Sequence, residues 1–340
     1  MNYPRVLCMG EMLFDRIADQ PGLPLEEVES WTNYPGGAPA NVACALAKLG
    51  TAAGFIGCIG RDEWGESLVR LLEEIGVDAV GVQRHPTAPT RIVYVLRDDA
   101  GECSFAGFDL YETTEFADAY LSASQLPLAW IQAADFLVLG ALELAYPQTR
   151  AAIARALEVA EASNTAIFID VNRRDRFWPN QCQSFQLTQQ LVERANFLKC
   201  TDEEAMWLFN TTDAGIIAKC LDRVRGVLVT GGDRGCSYWF RGGEGELPGF
   251  NVTIEDATGA GDGFSAGILH QLCQRGLDCL DNPKILREIV RYASAVGAMT
   301  VMKPGAIDAQ PSAVEVTQFL ADWSETTSGS AQPVFLKTNR

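Results

Sequence analysis

Six short apolar runs, each closed by turn residues, recur along the chain: VLCMG near the start, AGFIGCIG at 53–60, DFLVLG at 135–140, AIFID at 166–170, NFLKC at 196–200 and GVLVTGG at 226–232. Their apolar residues run on instead of alternating with polar ones, which marks strands buried on both faces of a parallel sheet. Parallel neighbours need a crossover, and the intervening sequence supplies helices for it. APANVACALAKLG at 38–50, WGESLVRLLEEIG at 64–76 and TRAAIARALEVAEA at 149–162 carry apolar residues at spacings of three and four, and the first two end in glycine. The pattern predicts a doubly wound α/β domain with a mostly parallel central sheet. No internal repeat interrupts it. A single domain over 1–325 is expected, followed by a flexible tail at 326–340, where SETTSGSAQP leads into low-complexity sequence.

Two stretches break the alternation. Residues 12–35 and 89–115 read as strands joined by turns, the second as a hairpin through Asp98-Asp99-Ala100-Gly101. Two insertions forming a small β-sheet lid would explain both, and the lid's apolar face would pair with a second subunit in a homodimer. The plainer alternative is a pair of ordinary surface hairpins.

Charge and residue inventory narrow the chemistry. The 340 residues carry 27 Lys and Arg against 44 Asp and Glu, a net charge of −17, which argues against nucleic acid or an anionic membrane as partner. A small-molecule substrate is the expectation. No apolar run reaches the roughly 18–20 residues of a membrane span, and MNYPRVLCMGEML lacks the layout of a signal peptide, so a cytoplasmic location is predicted. Ten cysteines fall without a Cys-x-x-Cys, and His85 and His270 are the only histidines. A structural zinc site and a Ser-His-Asp triad therefore have almost no material. Carboxylates, lysines and backbone amides must do the work.

Two glycine-bearing stretches carry that chemistry. In YPGGAPANVACALAKLG, Gly36 and Gly37 allow close backbone approach, and Asn41 falls at the start of a helix, where its amide can donate and accept toward a polyhydroxyl ligand. A simple turn followed by a helix start would give the same pattern. IEDATGAGDGFSAGILHQL is sharper: a helix opening Gly-Ala-Gly-Asp-Gly forfeits roughly 1 kcal/mol per interior glycine, so close approach of a ligand is the reason for them. A capping box from Thr258 would want its acid at 261, where Gly261 stands, so Asp262 is one place too late. Phosphoryl transfer to an alcohol needs donors around the phosphoryl oxygens and a base at the attacking hydroxyl. The N–H groups of Gly259, Ala260 and Gly261 with the helix dipole would form the anion hole, and Asp262 would face the hydroxyl. No G-x-x-x-x-G-K-[ST] occurs, and the first strand is followed by GEMLFD instead of G-x-G-x-x-G, which sets aside Walker-type and nicotinamide-binding readings.

GGAPANVA and DATGAGDGF resemble the two signature regions of the ribokinase/PfkB sugar-kinase family, in order and over nearly the whole chain, with the closest likeness to fructokinases. The resemblance implies a ribokinase-like three-layer α/β/α fold with a small β lid, and an ATP-dependent sugar kinase that makes fructose 6-phosphate. GEMLFD resembles the fructokinase opening and implies that Asp15 binds sugar hydroxyls with Gly36, Gly37 and Asn41, while Arg91 approaches from the lid. DVNRRDRFW at 170–178 resembles the family segment carrying Asp170, Asn172 and Arg174, with Val171 where proline is usual and Phe177 where leucine is; Asp170 and Asn172 are implied in sugar binding and Arg174 near the transferring phosphate. LKCTDEEAMWL implies Lys199 in nucleotide binding and Glu204 in organising Mg2+ and its waters, with Thr201 where ribokinase relatives have asparagine. VLVTGGDRG implicates Thr230 and Gly232 at the nucleotide, with Gly259 and Gly261. AVGAMTVMKPGAIDAQPS resembles the stretch that closes over adenine and lends carbonyls to a monovalent cation, K+, beside Asp256 and Thr258. A kinase for 2-keto-3-deoxygluconate or another sugar, and a catalytically silent scaffold on the same fold, are the alternatives carried forward.

Overall fold

Every residue from Ala53 to Gly60 is buried, as a central strand of a sheet covered on both faces requires. The computed structural model describes residues 3–98, 103–108, 111–178 and 180–328. In chain order its elements are β1 (Val6–Met9), β2 (Leu13–Ala18), β3 (Trp31–Gly36), α1 (Ala38–Lys48), β4 (Ala53–Gly60), α2 (Glu63–Ile75), β5 (Asp78–His85), β6 (Ile92–Arg97), β7 (Cys103–Gly107), α3 (Leu128–Ala133), β8 (Phe136–Leu139) and α4 (Pro147–Ser163). Then follow β9 (Ala166–Asp170), α5 (Gln181–Val192), β10 (Phe197–Thr201), α6 (Asp202–Phe209), α7 (Ala214–Lys219), β11 (Gly226–Thr230), β12 (Cys236–Phe240), β13 (Gly243–Leu247), α8 (Ala260–Arg275), α9 (Pro283–Thr300) and α10 (Ala313–Ser328).

The main sheet has nine strands in the order β13-β12-β11-β10-β9-β8-β1-β4-β5. All six apolar runs became neighbouring parallel strands of it. Two hydrophobic cores, one on each face, make the three layers. One packs Phe55 of β4 with Leu46 of α1, Phe264 and Leu269 of α8, and Ile289 and Val296 of α9. The other packs Leu137 of β8 and Ile169 of β9 with Ile153 and Leu157 of α4, Leu191 of α5 and Ile217 of α7. The antiparallel β12–β13 hairpin at one edge escaped the sequence reading because its residues alternate and are only half-buried.

The two irregular stretches form a separate four-stranded sheet, β3-β2-β6-β7. β2 pairs antiparallel with β3 and β6 with β7, and the two insertions are joined by a parallel pairing of β2 with β6, Phe14 opposite Ile92 and Asp15 opposite Val93. That cross-pairing makes one lid of two hairpins. The expected turn residues Asp99, Ala100 and Gly101 lie outside the described residues, as does most of the expected tail. α10 extends to Ser328, so the first three residues of that tail are helical. Among the described residues, no helix is long and apolar enough to cross a membrane.

Candidate active site

Parallel strands deliver their last residues to one edge, and ligands bind beyond that edge in open α/β sheets. Asp170, Thr201 and Thr230 end β9, β10 and β11 there. Two cavities of about 760 and 720 Å³ open above these ends and share Lys199, Thr201, Ala257, Ala260 and Gly261 in their walls. One lies under the lid and is walled by Leu13, Asp15, Val93 and Phe105 of the lid, together with Gly37, Asn41, Asn172 and Arg174. The other is walled by Thr230, Gly232, Phe250, Phe264, Ser294 and Val301. A polar half and a more apolar half therefore meet at the start of α8.

That junction is built by glycine. Gly259 caps α8 at φ 80°, and a Cβ there would stand 2.9 Å from Ala306 Cα. Glycine meets both demands, a left-handed backbone and close contact. The first turn of a helix leaves its N–H groups without intrahelical acceptors and concentrates positive potential there. Ala260 N–H closes a turn onto Ala257 O at 3.4 Å. At Gly261 a Cβ would meet Lys199 Nζ at 2.9 Å, so the ammonium lies against the loop. Lys199 in turn bonds Asp170 at 3.0 Å, both side chains buried, and Ser265 Oγ donates to the other Asp170 oxygen at 2.8 Å.

Asp262 follows at the cavity floor. Asn41 Nδ2 donates to its Oδ2 at 2.8 Å, and the Asn41 Oδ1, buried, has no partner among the described residues. Burial raises the Asp262 carboxyl to about 6, Asp170 adds to the rise, and Asn41, Lys199 and Arg174 oppose it. A carboxylate so placed is ionised at neutral pH and still basic enough to take a proton. Burial likewise lifts Asp15 to about 6, against the pull of Arg174. Arg174 is exposed at the cavity wall and acts electrostatically on both. Gly36 lets Asp15 in: a Cβ on it would stand 2.9 Å from Asp15 Oδ2. Gly37, at φ 103°, would drive a Cβ to 2.5 Å from Glu11 O. Asn172, at φ 43°, lines the same half.

Glu204 is buried beside the junction. Its two oxygens accept from Arg173 N–H at 2.6 Å and Thr201 N–H at 2.8 Å, while Thr201 Oγ1 accepts from Glu204 N–H. This capping box, not foreseen from the sequence, is why threonine suits position 201. Asp256 Oδ1 accepts from Thr258 N–H and Oγ1–H, and its Oδ2 from Gly305 N–H. Burial works to raise the Asp256 carboxyl, but these bonds outweigh it and hold it below the usual value.

Two expected sugar contacts need correction. Asp170 does not line the lid half; it stands one layer behind, holding Lys199 and Ser265. Arg91 is 1% exposed and caged beneath the lid, paired with both oxygens of Asp118 at 2.5 and 2.7 Å, donating to Thr113 O and Tyr146 OH, and packed by Phe108, Phe116, Tyr146 and Phe177. A guanidinium so engaged tethers the lid to the body. Glu11, by contrast, was missed: buried at the lid half, it accepts from Ala38 N–H at 2.9 Å and burial lifts it to about 7. The histidines serve structure, His270 Nδ1 bonding Thr51 at 2.8 Å and His85 Nδ1 accepting from Ala88 N–H.

A helix start with N–H groups free to meet an anion, flanked by a carboxylate and a lidded polar cavity, is the arrangement of a phosphotransferase of the α/β kinase class. Residues 4–313 match the family described as pfkB family carbohydrate kinase. Fructokinase-2 of Zea mays is 32% identical over 93% of this chain and 94% of its own length. The fructokinase of Xylella fastidiosa, solved with bound ATP, superposes with a TM-score of 0.84 at 29% identity, covering 94% of this chain and 98% of that one. The fructokinase of Vibrio cholerae O395, solved with fructose, ADP and calcium ion, gives 0.81 at 26% identity over 94% and 99%. The chain belongs to the pfkB family of carbohydrate kinases and is a sugar phosphotransferase.

Proposed function

We propose that this protein is an ATP-dependent fructokinase that converts D-fructose and ATP to D-fructose 6-phosphate and ADP. The observation that carries the reading is the Asn41–Asp262 contact, which joins the lid half of the cleft to the first turn of α8. In this reading Asp15, Gly37 and Asn41 bind the sugar and Asp262 takes the proton of its 6-hydroxyl. The hydroxyl oxygen then bonds to the γ-phosphorus as the bond to the bridging oxygen of ADP breaks. N–H groups at Gly259–Gly261 receive the charge spread over the phosphoryl oxygens, with Lys199 and Arg174 on either side. Thr230 and Gly232 line the half where the nucleotide would lie.

Among the described residues, no three His, Cys, Asp or Glu side chains converge as a metal cage. That suits a magnesium ion held by phosphates and water, with Glu204 oriented by its two backbone donors to bind those waters. When bound, the ion supplies neutralisation of phosphate charge. Asp256, which accepts from Gly305 N–H, and Thr258, which donates to Asp256, are the residues that would hold a potassium ion. We assign a homodimer through the lid, to be read by light scattering at micromolar concentration; a monomer removes that assignment. Nine described cysteines stand unpaired, which supports a cytoplasmic setting. The names of the Zea mays and Vibrio cholerae relatives support fructose as the sugar. The test is ADP release with fructose, glucose, ribose, adenosine and 2-keto-3-deoxygluconate: fructose is expected to give the highest kcat/KM, and preference for another member overturns the assignment.

A further inference from the structure

At the opposite edge of the main sheet, below the first residues of β9, β10 and β11, three arginines surround a recess of about 190 Å³. Arg194 Nε and Arg223 share one carboxylate, Glu161, at 2.9 and 2.5 Å. Arg225, half-buried, lines the recess and has no side-chain partner among the described residues. Asn196 spends its carbonyl oxygen on Ile167 N–H, which leaves its amide donors with only a 3.5 Å contact to Arg223 O. The end of α4, at Ser163, contributes about half a negative charge, so the lining still carries about +1.5. In a chain of net charge −17 this is a local inversion of sign, held in a concavity.

We propose that this recess is a binding site for a small oxyanion of the phosphate class. Planar guanidinium forks match phosphate oxygens in pairs, and a doubly charged anion would neutralise the excess. The volume holds several times the roughly 30 Å³ share of one water but falls below the roughly 300–1,000 Å³ of pockets that enclose drug-sized ligands. The recess therefore has room for a free phosphate or the phosphoryl end of a small ester and does not enclose a whole nucleotide. Strands of five residues place the site about 16 Å from the catalytic edge, so it is separate from the cleft.

The test is isothermal titration of the full chain with inorganic phosphate and, separately, with glycerol 3-phosphate, at constant ionic strength. Arg225→Gln is expected to weaken binding at least tenfold. Asn164→Asp, which adds a carboxylate at the mouth on a backbone (φ 59°) that aspartate accepts, is expected to do likewise. The cleft variant Arg174→Gln is expected to leave that binding unchanged. Tighter binding of the ester or of the free ion names the source, and either supports the site. Binding that survives in both Arg225→Gln and Asn164→Asp, binding lost in Arg174→Gln, or no saturable binding of either anion below about 50 mM overturns it.

Discussion

The Asn41 side-chain amide donates to the Asp262 carboxylate across 2.8 Å, linking the first turns of α1 and α8, 221 residues apart in sequence. If Asp262 is the general base, Asp262→Asn keeps the loop and an acceptor for Asn41 but removes the proton's destination. Turnover should fall by about 10²–10⁴ while ATP affinity stays within a few-fold. Stability should move the other way. The carboxyl is raised to about 6 from 3.8, so ionising it at neutral pH costs folding free energy. Because the group faces the cleft, water screens part of this and about 1–2 kcal/mol is a fair expectation. The variant should therefore melt slightly higher at pH 7.5. A carboxylate serving only the helix start would give the reverse: a lower melting temperature and turnover reduced by less than about tenfold.

The pH dependence follows from the same group. A base must be ionised, so kcat/KM for the sugar should fall as pH drops through about 6, tenfold per unit below it. Asp15, also near 6, titrates in the same window and steepens the fall. For stability, a folded pKa above the unfolded one means that the native state binds more protons between the two values. The Asp262 contribution thus improves as pH falls from about 7 toward 4. Activity and this part of the stability should change in opposite directions over pH 7 to 5, measured by initial rates and by melting on the same samples.

The sequence made the sheet legible because its strands are buried on both faces: continuous apolar runs survive at β1, β4, β8, β9, β10 and β11 without reference to neighbours. β12 and β13 have one half-exposed face and lack that signal. At the site, glycines at 37 and 259 and the misplaced acid at 262 were readable because they violate local helix and turn rules. Glu11 was not, since its partner is the Ala38 amide 27 residues on. Arg91 misled because strand position alone does not say which way a long side chain turns; Asp118, Thr113 and Tyr146 draw it under the lid.

Arg91→Ala should therefore act on folding before it acts on sugar affinity. It leaves the Asp118 carboxylate buried without its cation and opens space among four aromatic rings. Breaking such a pair costs about 3–5 kcal/mol. Urea unfolding should show that loss, and Arg91→Met with Asp118→Leu should recover a large part of it. A variant of normal stability with a raised sugar KM would return Arg91 to the substrate site.

Gly37 offers a separation of backbone strain from contact. Gly37→Ala suffers both, with φ at 103° and a Cβ 2.5 Å from Glu11 O and 2.9 Å from Met12 Cα. Gly50→Ala suffers the first alone, since φ is 86° and nothing lies within 4 Å of its Cβ. Gly50→Ala should cost about 1–2 kcal/mol of stability and leave kinetics unchanged. Gly37→Ala must also push apart the Glu11–Met12 segment before β2 and the start of α1, displacing Asn41 relative to Asp15. Sugar KM should rise at least tenfold, with ATP KM changed less than about threefold, because a displacement of about 1 Å already costs orders of magnitude in a positioned site. Equal stability losses in the two variants with unchanged sugar KM in both would show that Gly37 serves the turn and not the sugar.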